Sequence, residues 1–207
     1  MKVLFACGGT AGHINPALAV ATELRRRVPD CEILFVGNPD GMEATLVPRA
    51  GFRFAPYRSM GIQRRFSWNN IKYNAKSVCL LVTARSRAKR ILRDFAPDVV
   101  MGTGSYISAP ILLAAAALRI PCMTHEANAL PGVSNRMVAQ KVDKFLLAVP
   151  EAEKHLPQRQ DYIVTGNPVR PGDPCGRPGR RPRPFGDPSR AAVSVVLWRQ
   201  PGGADHQ

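Results

Sequence analysis

The first seventeen residues decide most of what this chain can fold into. Lys2-Val3-Leu4-Phe5-Ala6 is a short apolar run, the pattern of a strand buried on both faces of a parallel sheet. It runs into Cys7-Gly8-Gly9-Thr10-Ala11-Gly12-His13, where three glycines in five residues permit a sharp turn and a close approach of backbone to a ligand. Asn15 and Pro16 then read as an N-cap and a first helical position, predicting a helix over about 16–27. N–H groups at a helix start, together with the helix dipole, make an anion site that needs no lysine. His13 stands at its mouth.

The loop is neither of the two commonest nucleotide signatures. No Gly-Lys-Ser/Thr follows the glycines, so it is not a P-loop. Gly9 and Gly12 supply half of a dinucleotide-binding pattern, but Cys7 stands where its first glycine belongs. Taken alone, a strand, a glycine turn and a helix are also what many α/β proteins use simply to reverse direction.

The rest of the chain repeats the opening unit. Glu32–Gly37 reads as a second strand, Asn38-Pro39-Asp40-Gly41 as a turn, a short helix carries Met42, Leu46 and Val47, and 52–57 reads as a third strand. Strand alternating with helix predicts a doubly wound parallel sheet of the Rossmann-like α/β class. Asp98 to Met101 reads as strand four. It opens a second glycine loop, Gly102-Thr103-Gly104-Ser105-Tyr106, before an apolar helix over 107–118. Open α/β sheets bind ligands beyond the carboxyl ends of their strands, so two such loops can converge on one diphosphate. His125, Glu126 and Asn128 follow the fifth strand. They read either as caps of the next helix or as contacts to sugar hydroxyls. Segments 142–149 and 163–164 read as the last strands.

Charge separates one stretch from this regular pattern. The 207 residues carry a net charge of +14, which points to an anionic partner. Nine basic residues and no acidic one lie between Arg64 and Arg93, interleaved with Phe66, Trp68, Ile71 and Tyr73. Part of this stretch reads as amphipathic helix packed on the sheet with a solvated basic face. The sharper reading is a surface that rests on anionic lipid, carried by Phe66, Trp68, Ile71, Lys72, Lys76, Arg85 and Lys89. A nucleic-acid binder is the competing class, but no helix-turn-helix, zinc or RNA-binding signature accompanies the charge. The five cysteines form no C-x-x-C pair and read as reduced thiols of a cytosolic protein. The start on a strand predicts no signal peptide, and no metal-ligand cluster stands out.

Four motifs in order carry a family resemblance: Gly8-Gly9-Thr10-Ala11-Gly12-His13; Gly102-Thr103-Gly104-Ser105-Tyr106-Ile107-Ser108-Ala109-Pro110; His125-Glu126-Ala127-Asn128-Ala129; and Gly166-Asn167-Pro168-Val169-Arg170. Over about residues 1–170 the chain resembles the MurG group of glycosyltransferase family 28. One departure is Ala127, where the family usually has Gln. The resemblance implies the N-terminal half of a two-domain GT-B transferase that moves N-acetylglucosamine, with inversion, from UDP-N-acetylglucosamine to undecaprenyl-diphospho-N-acetylmuramoyl-pentapeptide. It implies glycine loops (Gly8, Gly9, Gly12, Gly102, Gly104, Ser105, Tyr106) facing the acceptor diphosphate. It also implies a few donor contacts from Thr10, Ala11, Gly12, Asn128 and Arg170, and a peripheral site on the cytoplasmic face of the inner membrane. His13 becomes the expected base, an imidazole being suited to proton transfer near neutral pH. No cofactor is implied.

The resemblance stops after Arg170. Residues 171–207 hold seven prolines, six arginines and three aspartates. The expected organisation is therefore an acceptor-binding domain over 1–168 and a disordered Pro/Arg-rich tail over 169–207. One permitted codon spelling of Val196 to Gln207, read one base later, gives Ser-Tyr-Gly-Gly-Ser-Leu-Gly-Ala-Arg-Thr-Ile, which is similar to the loop opening the family's second domain. This predicts a one-base insertion near the codons for Pro171 and Gly172, and a chain with little activity of its own. A stand-alone acceptor- or membrane-binding subunit that works with a separate partner chain is the alternative.

Overall fold

The computed structural model describes residues 1–59, 83–158, 161–169 and 188–197. Seven strands form one sheet: β1 (Lys2–Ala6), β2 (Glu32–Gly37), β3 (Arg53–Pro56), β4 (Val99–Gly102), β5 (Cys122–Glu126), β6 (Lys144–Leu147) and β7 (Tyr162–Val164). Their order is β3-β2-β1-β4-β5-β6-β7 and every pairing is parallel. This is the doubly wound arrangement expected from the sequence. The order reverses between β1 and β4, which are hydrogen-bonded neighbours. Both glycine loops leave the carboxyl ends of those two strands, the crevice where open α/β sheets take ligands.

Helices cover both faces: α1 (Ala11–Arg27), α2 (Glu43–Arg49), α3 (83–95), α4 (Ser108–Ala117), α5 (Val133–Val138) and α6 (Pro188–Leu197), with a 3-10 turn over Pro150–His155. Because the strands are buried on both sides, the core divides in two. Leu4, Val36, Val100, Ile111 and Phe145 pack on one face. Val3, Phe5, Ile14, Phe35, Met101 and Leu146 pack on the other. α3 buries Ala84, Ala88, Leu92 and Phe95 at helical spacing and leaves Arg85 and Arg93 exposed and Lys89 half-buried. The amphipathic reading of that segment therefore holds for 83–95. Phe66, Trp68, Ile71, Lys72, Lys76 and Arg170 lie outside the described residues.

Two expectations need correction. α1 begins at Ala11, five residues before Pro16, with Thr10 as an extended N-cap (φ −143°, ψ 156°). Pro16 sits inside the helix, where it cannot donate to the Gly12 carbonyl and its ring crowds that same carbonyl. Burial of Ile14 and Pro16 and a hydrogen bond from the Thr103 hydroxyl to the His13 carbonyl (2.6 Å) hold this first turn in place. The tail, read as lacking periodicity, contains α6. Ala192, Val193 and Val196 enter the core against α1, Arg27 reaches Ser194 Oγ (3.4 Å), and Ser189 donates to the Val169 carbonyl (3.1 Å). A short apolar stripe on a mostly alanine and valine segment suffices for a helix once a groove is there to bury it.

Candidate functional site

The first loop is built by β1 ending at Ala6 and α1 starting at Ala11. Gly8 (φ 154°) and Gly9 (φ 84°) take backbone angles that only glycine adopts readily, so the chain can reverse within four residues. The loop's donors divide into two groups. The Gly9 N–H donates inward, to Glu43 Oε2 at 3.2 Å. The N–H groups of Ala11 and Gly12, in the first turn of α1, meet no acceptor among the described residues. Thr10 and Gly12 are exposed, and Ala11 and His13 half-exposed. The anion-facing end of the loop is thus the helix start itself. Gly8 is buried, and the Gly9 amide is engaged by Glu43.

The second loop is tied more tightly. Ser105 and Ser108 bond to each other just ahead of α4: Ser105 N–H donates to Ser108 Oγ (2.8 Å), and Ser108 N–H lies 3.4 Å from Ser105 Oγ. Ser105 is buried, and its hydroxyl also accepts the Ile107 N–H at 3.2 Å. Gly104 (φ 84°) is crowded by Asn135, whose Nδ2 would lie 2.6 Å from an added Cβ. A Cβ added to Gly102 would fall 2.6 Å from Leu112. Tyr106 is half-exposed, and a Cβ on Gly9 would come within 3.1 Å of its ring. With the Thr103–His13 hydrogen bond, this brings the two loops together as the sequence predicts. They present Ala11, Gly12, His13 and Tyr106.

His125 and Glu126 close the crevice from β5, and both are buried. Glu126 is a loop anchor. Its Oε1 accepts the Asn128 N–H (2.9 Å) and Nδ2 (3.0 Å), and its Oε2 accepts the Gly132 N–H (3.0 Å) and Asn135 Nδ2 (2.9 Å). Of its two sequence readings, the helix cap is the one observed: Gly132 is the N-cap of α5. Its carboxylate oxygens are thus engaged by its own loop. Asn135, which the sequence motifs did not single out, also takes a hydrogen bond from Thr124 Oγ1 (2.7 Å) and donates to the His125 carbonyl (3.2 Å). Its only sequence signal is a polar residue at a core-facing position of a short helix. Asn128 is exposed at the end of this network.

His125 Nε2 lies 3.0 Å from the Gly166 carbonyl and must donate to it, which leaves Nδ1 as the acceptor. Neither His125 Nδ1 nor His13 Nδ1 has a hydrogen-bond partner among the described residues, though both atoms are buried. Burial holds the His125 pKa below the ordinary imidazole value; the Gly166 contact and Glu126 oppose the shift and His13 adds to it. The folded domain therefore keeps His125 neutral where an unfolded chain takes up a proton. Stability contributed this way is complete above pH 6.5 and falls as the pH drops below it, because the unfolded state then binds more protons. Urea midpoints at pH 7.5 and 5.5 are expected to differ less in His125→Gln than in the parent chain. Cys7 and Cys122 are buried thiols, their pKa values raised chiefly by burial, and Cys122 is pushed up to about 12. No group of three metal-binding side chains occurs among the described residues.

A parallel sheet with paired glycine loops at its switch point, and a histidine between them, makes this a Rossmann-like α/β domain. The chain belongs to glycosyltransferase family 28: the family's N-terminal domain matches residues 3–147. It is 41% identical over 170 residues to the UDP-N-acetylglucosamine–N-acetylmuramyl-(pentapeptide) pyrophosphoryl-undecaprenol N-acetylglucosamine transferase of Acetivibrio thermocellus, covering 82% of this chain and 45% of that protein. Identity to the Desulfitobacterium hafniense protein of the same name is 43% over 171 residues, covering 83% of this chain and 45% of that one. The crystal structure of Acinetobacter baumannii MurG superimposes with a TM-score of 0.63 at 26% identity, over 84% of this chain and 46% of that one. A UDP-GlcNAc 2-epimerase from Neisseria meningitidis shares the fold alone, with a TM-score of 0.58 at 19% identity. The chain spans about half the length of the curated relatives it matches.

Proposed function

We propose that residues 1–168 form the acceptor-binding half of an inverting N-acetylglucosaminyltransferase whose acceptor is undecaprenyl-diphospho-N-acetylmuramoyl-pentapeptide. The observation that carries this reading is the junction of the two loops at adjacent strand ends, tied by Thr103 and His13, with unpartnered amides at Ala11 and Gly12. Those amides suit the acceptor diphosphate, and Thr10 and Asn128 lie exposed where the donor would approach. His13 takes the proton of the acceptor C4 hydroxyl. That oxygen attacks the anomeric carbon from the face opposite UDP, the carbon–phosphate oxygen bond breaks, and UDP leaves with the electron pair. Orienting both reactants is worth about 7–11 kcal/mol of barrier. In this reading residues 1–168 supply the acceptor site, and most donor contacts belong to the part of the relatives that these residues do not match.

Calorimetric titration with a short-chain analogue of the acceptor tests the reading. Binding is expected for the parent chain and for His13→Ala within about threefold, since the base is not a binding group in the ground state. Absence of binding to the parent chain rejects it.

The exposed basic face of α3 supports peripheral docking on anionic lipid. No helix among the described residues is long and apolar enough to cross a membrane. At about 1 kcal/mol per basic residue, Arg85→Ala with Lys89→Ala should weaken sedimentation with phosphatidylglycerol vesicles by about thirtyfold. Unchanged sedimentation would remove α3 from the docking surface.

A further inference from the structure

The geometry of the first loop turns on a carboxylate that lies outside every motif in the sequence. Glu43, at the start of α2, is fully buried. Its Oε2 accepts the Gly9 N–H at 3.2 Å and its Oε1 accepts the Asn38 N–H at 2.9 Å. Asn38 follows β2 directly, so one side chain ties together the loops that leave two adjacent strands. Three glycines make room for it. A Cβ on Gly8 would collide with Glu43 Oε1, one on Gly37 would lie 2.5 Å from its Cγ, and one on Gly41 would lie 2.5 Å from Oε2.

We propose that Glu43 is a positioning residue for the anion-binding loop. By drawing the Gly9 N–H into the interior it fixes the reversal at Gly8 and Gly9 and leaves Ala11 and Gly12 as the donors that meet a diphosphate. The ligand named here rests on the functional reading above. A buried carboxylate under an anion site cannot help binding through its charge, because like charges repel. Its contribution is geometric, and this gives opposite expectations for charge removal: relief of repulsion strengthens anion binding, whereas loss of the loop geometry weakens it. Glu43→Gln keeps the shape but turns an amide nitrogen towards one of the two N–H donors, so the geometric role predicts weaker binding.

The experiment is amide exchange and 15N NMR titration of the 207-residue chain with farnesyl diphosphate. In the parent chain, the Gly9 amide should exchange at least tenfold more slowly than those of Ala11 and Gly12. The ligand should shift Ala11 and Gly12 and leave Gly9 nearly still. In Glu43→Gln, Gly9 should lose its protection and affinity should fall about tenfold, with cooperative melting retained. Should that variant not fold, Glu43→Asp, which draws the carboxylate back by one methylene from the Gly9 and Asn38 N–H groups, carries the same expectation. A Gly9 amide that exchanges as fast as that of Gly12, or a folded Glu43→Gln that binds as tightly or more tightly, overturns the inference. A protected Gly9 in a parent chain that binds no farnesyl diphosphate instead rejects the diphosphate reading of the loop, and with it the ligand-directed role of Glu43.

Discussion

Glu126→Ala should destabilise the domain by about 1–3 kcal/mol and release Asn128 from its present position. The carboxylate is 2% exposed and takes four hydrogen bonds, all between 2.9 and 3.0 Å. Alanine removes the acceptor of all four bonds, though Asn135 Nδ2 keeps the His125 carbonyl. The two on Asn128 can turn to water, because that residue is exposed. Gly132 is exposed and its N–H can do the same, but Asn135 Nδ2 cannot, since Asn135 is buried among Thr124, Gly104 and the β5 backbone. Each buried donor left without an acceptor costs about 1–3 kcal/mol. Urea unfolding measures the loss, and exchange of the Asn128 side-chain amide reports the loop. If Asn128 stays protected in the variant, Glu126 is not its anchor. Glu126→Gln should fall between parent and alanine variant, since one of its two terminal atoms still accepts.

Glu126 shows what the sequence makes legible and what it conceals. His125, Glu126 and Asn128 were recognisable as a group at a strand end, because an apolar run stops there and polar residues begin. Whether the carboxylate faced a ligand or its own loop depended on Gly132 and Asn135 folding back onto it, and that is a tertiary fact. The central strands β1, β2 and β4 were readable one by one, since strands buried on both faces are apolar for most of their length. The start of α1 was misplaced because Asn15 and Pro16 carry stronger local start signals than Thr10, which makes no side-chain cap hydrogen bond. Burial of Ile14 and the Thr103 contact outweigh those signals. Glu43 was hidden in a stretch that reads as turn and short helix. The trace it leaves is the pair of glycines, Gly37 and Gly41, on either side of the turn, and their meaning depends on knowing which side chain fills the space. The helix in the tail was missed for a simpler reason: the Pro/Arg-rich composition of its surroundings masked ten residues that have an apolar face.

Phe35→Ala should cost about 3–5 kcal/mol, enough to lower the melting temperature by about 10 °C in a domain of this size. Phe35 is fully buried at the centre of β2, stacked on Phe5 of β1 at 5.0 Å between ring centroids and tilted against Phe52 at 5.2 Å. Arg25 of α1 covers the Phe52 ring at 4.2 Å, so the cluster reaches from the sheet to the helix that begins at the anion loop. Neighbours on rigid strands cannot collapse into the space a phenyl ring leaves, so the cavity persists and the upper part of the range applies. Phe35→Leu keeps most of the volume and should cost less than half as much. The position also separates stability from site geometry. Phe5 lies two residues before Cys7, and the loop is held independently by Glu43 and Thr103. Phe35→Ala protein that remains folded at 15 °C should therefore bind the acceptor analogue within about threefold of the parent chain, a modest change by the scale on which tenfold is 1.4 kcal/mol. A large loss of affinity without unfolding would mean that packing beneath β1, not the hydrogen bonds around the loop, sets the position of Ala11 and Gly12.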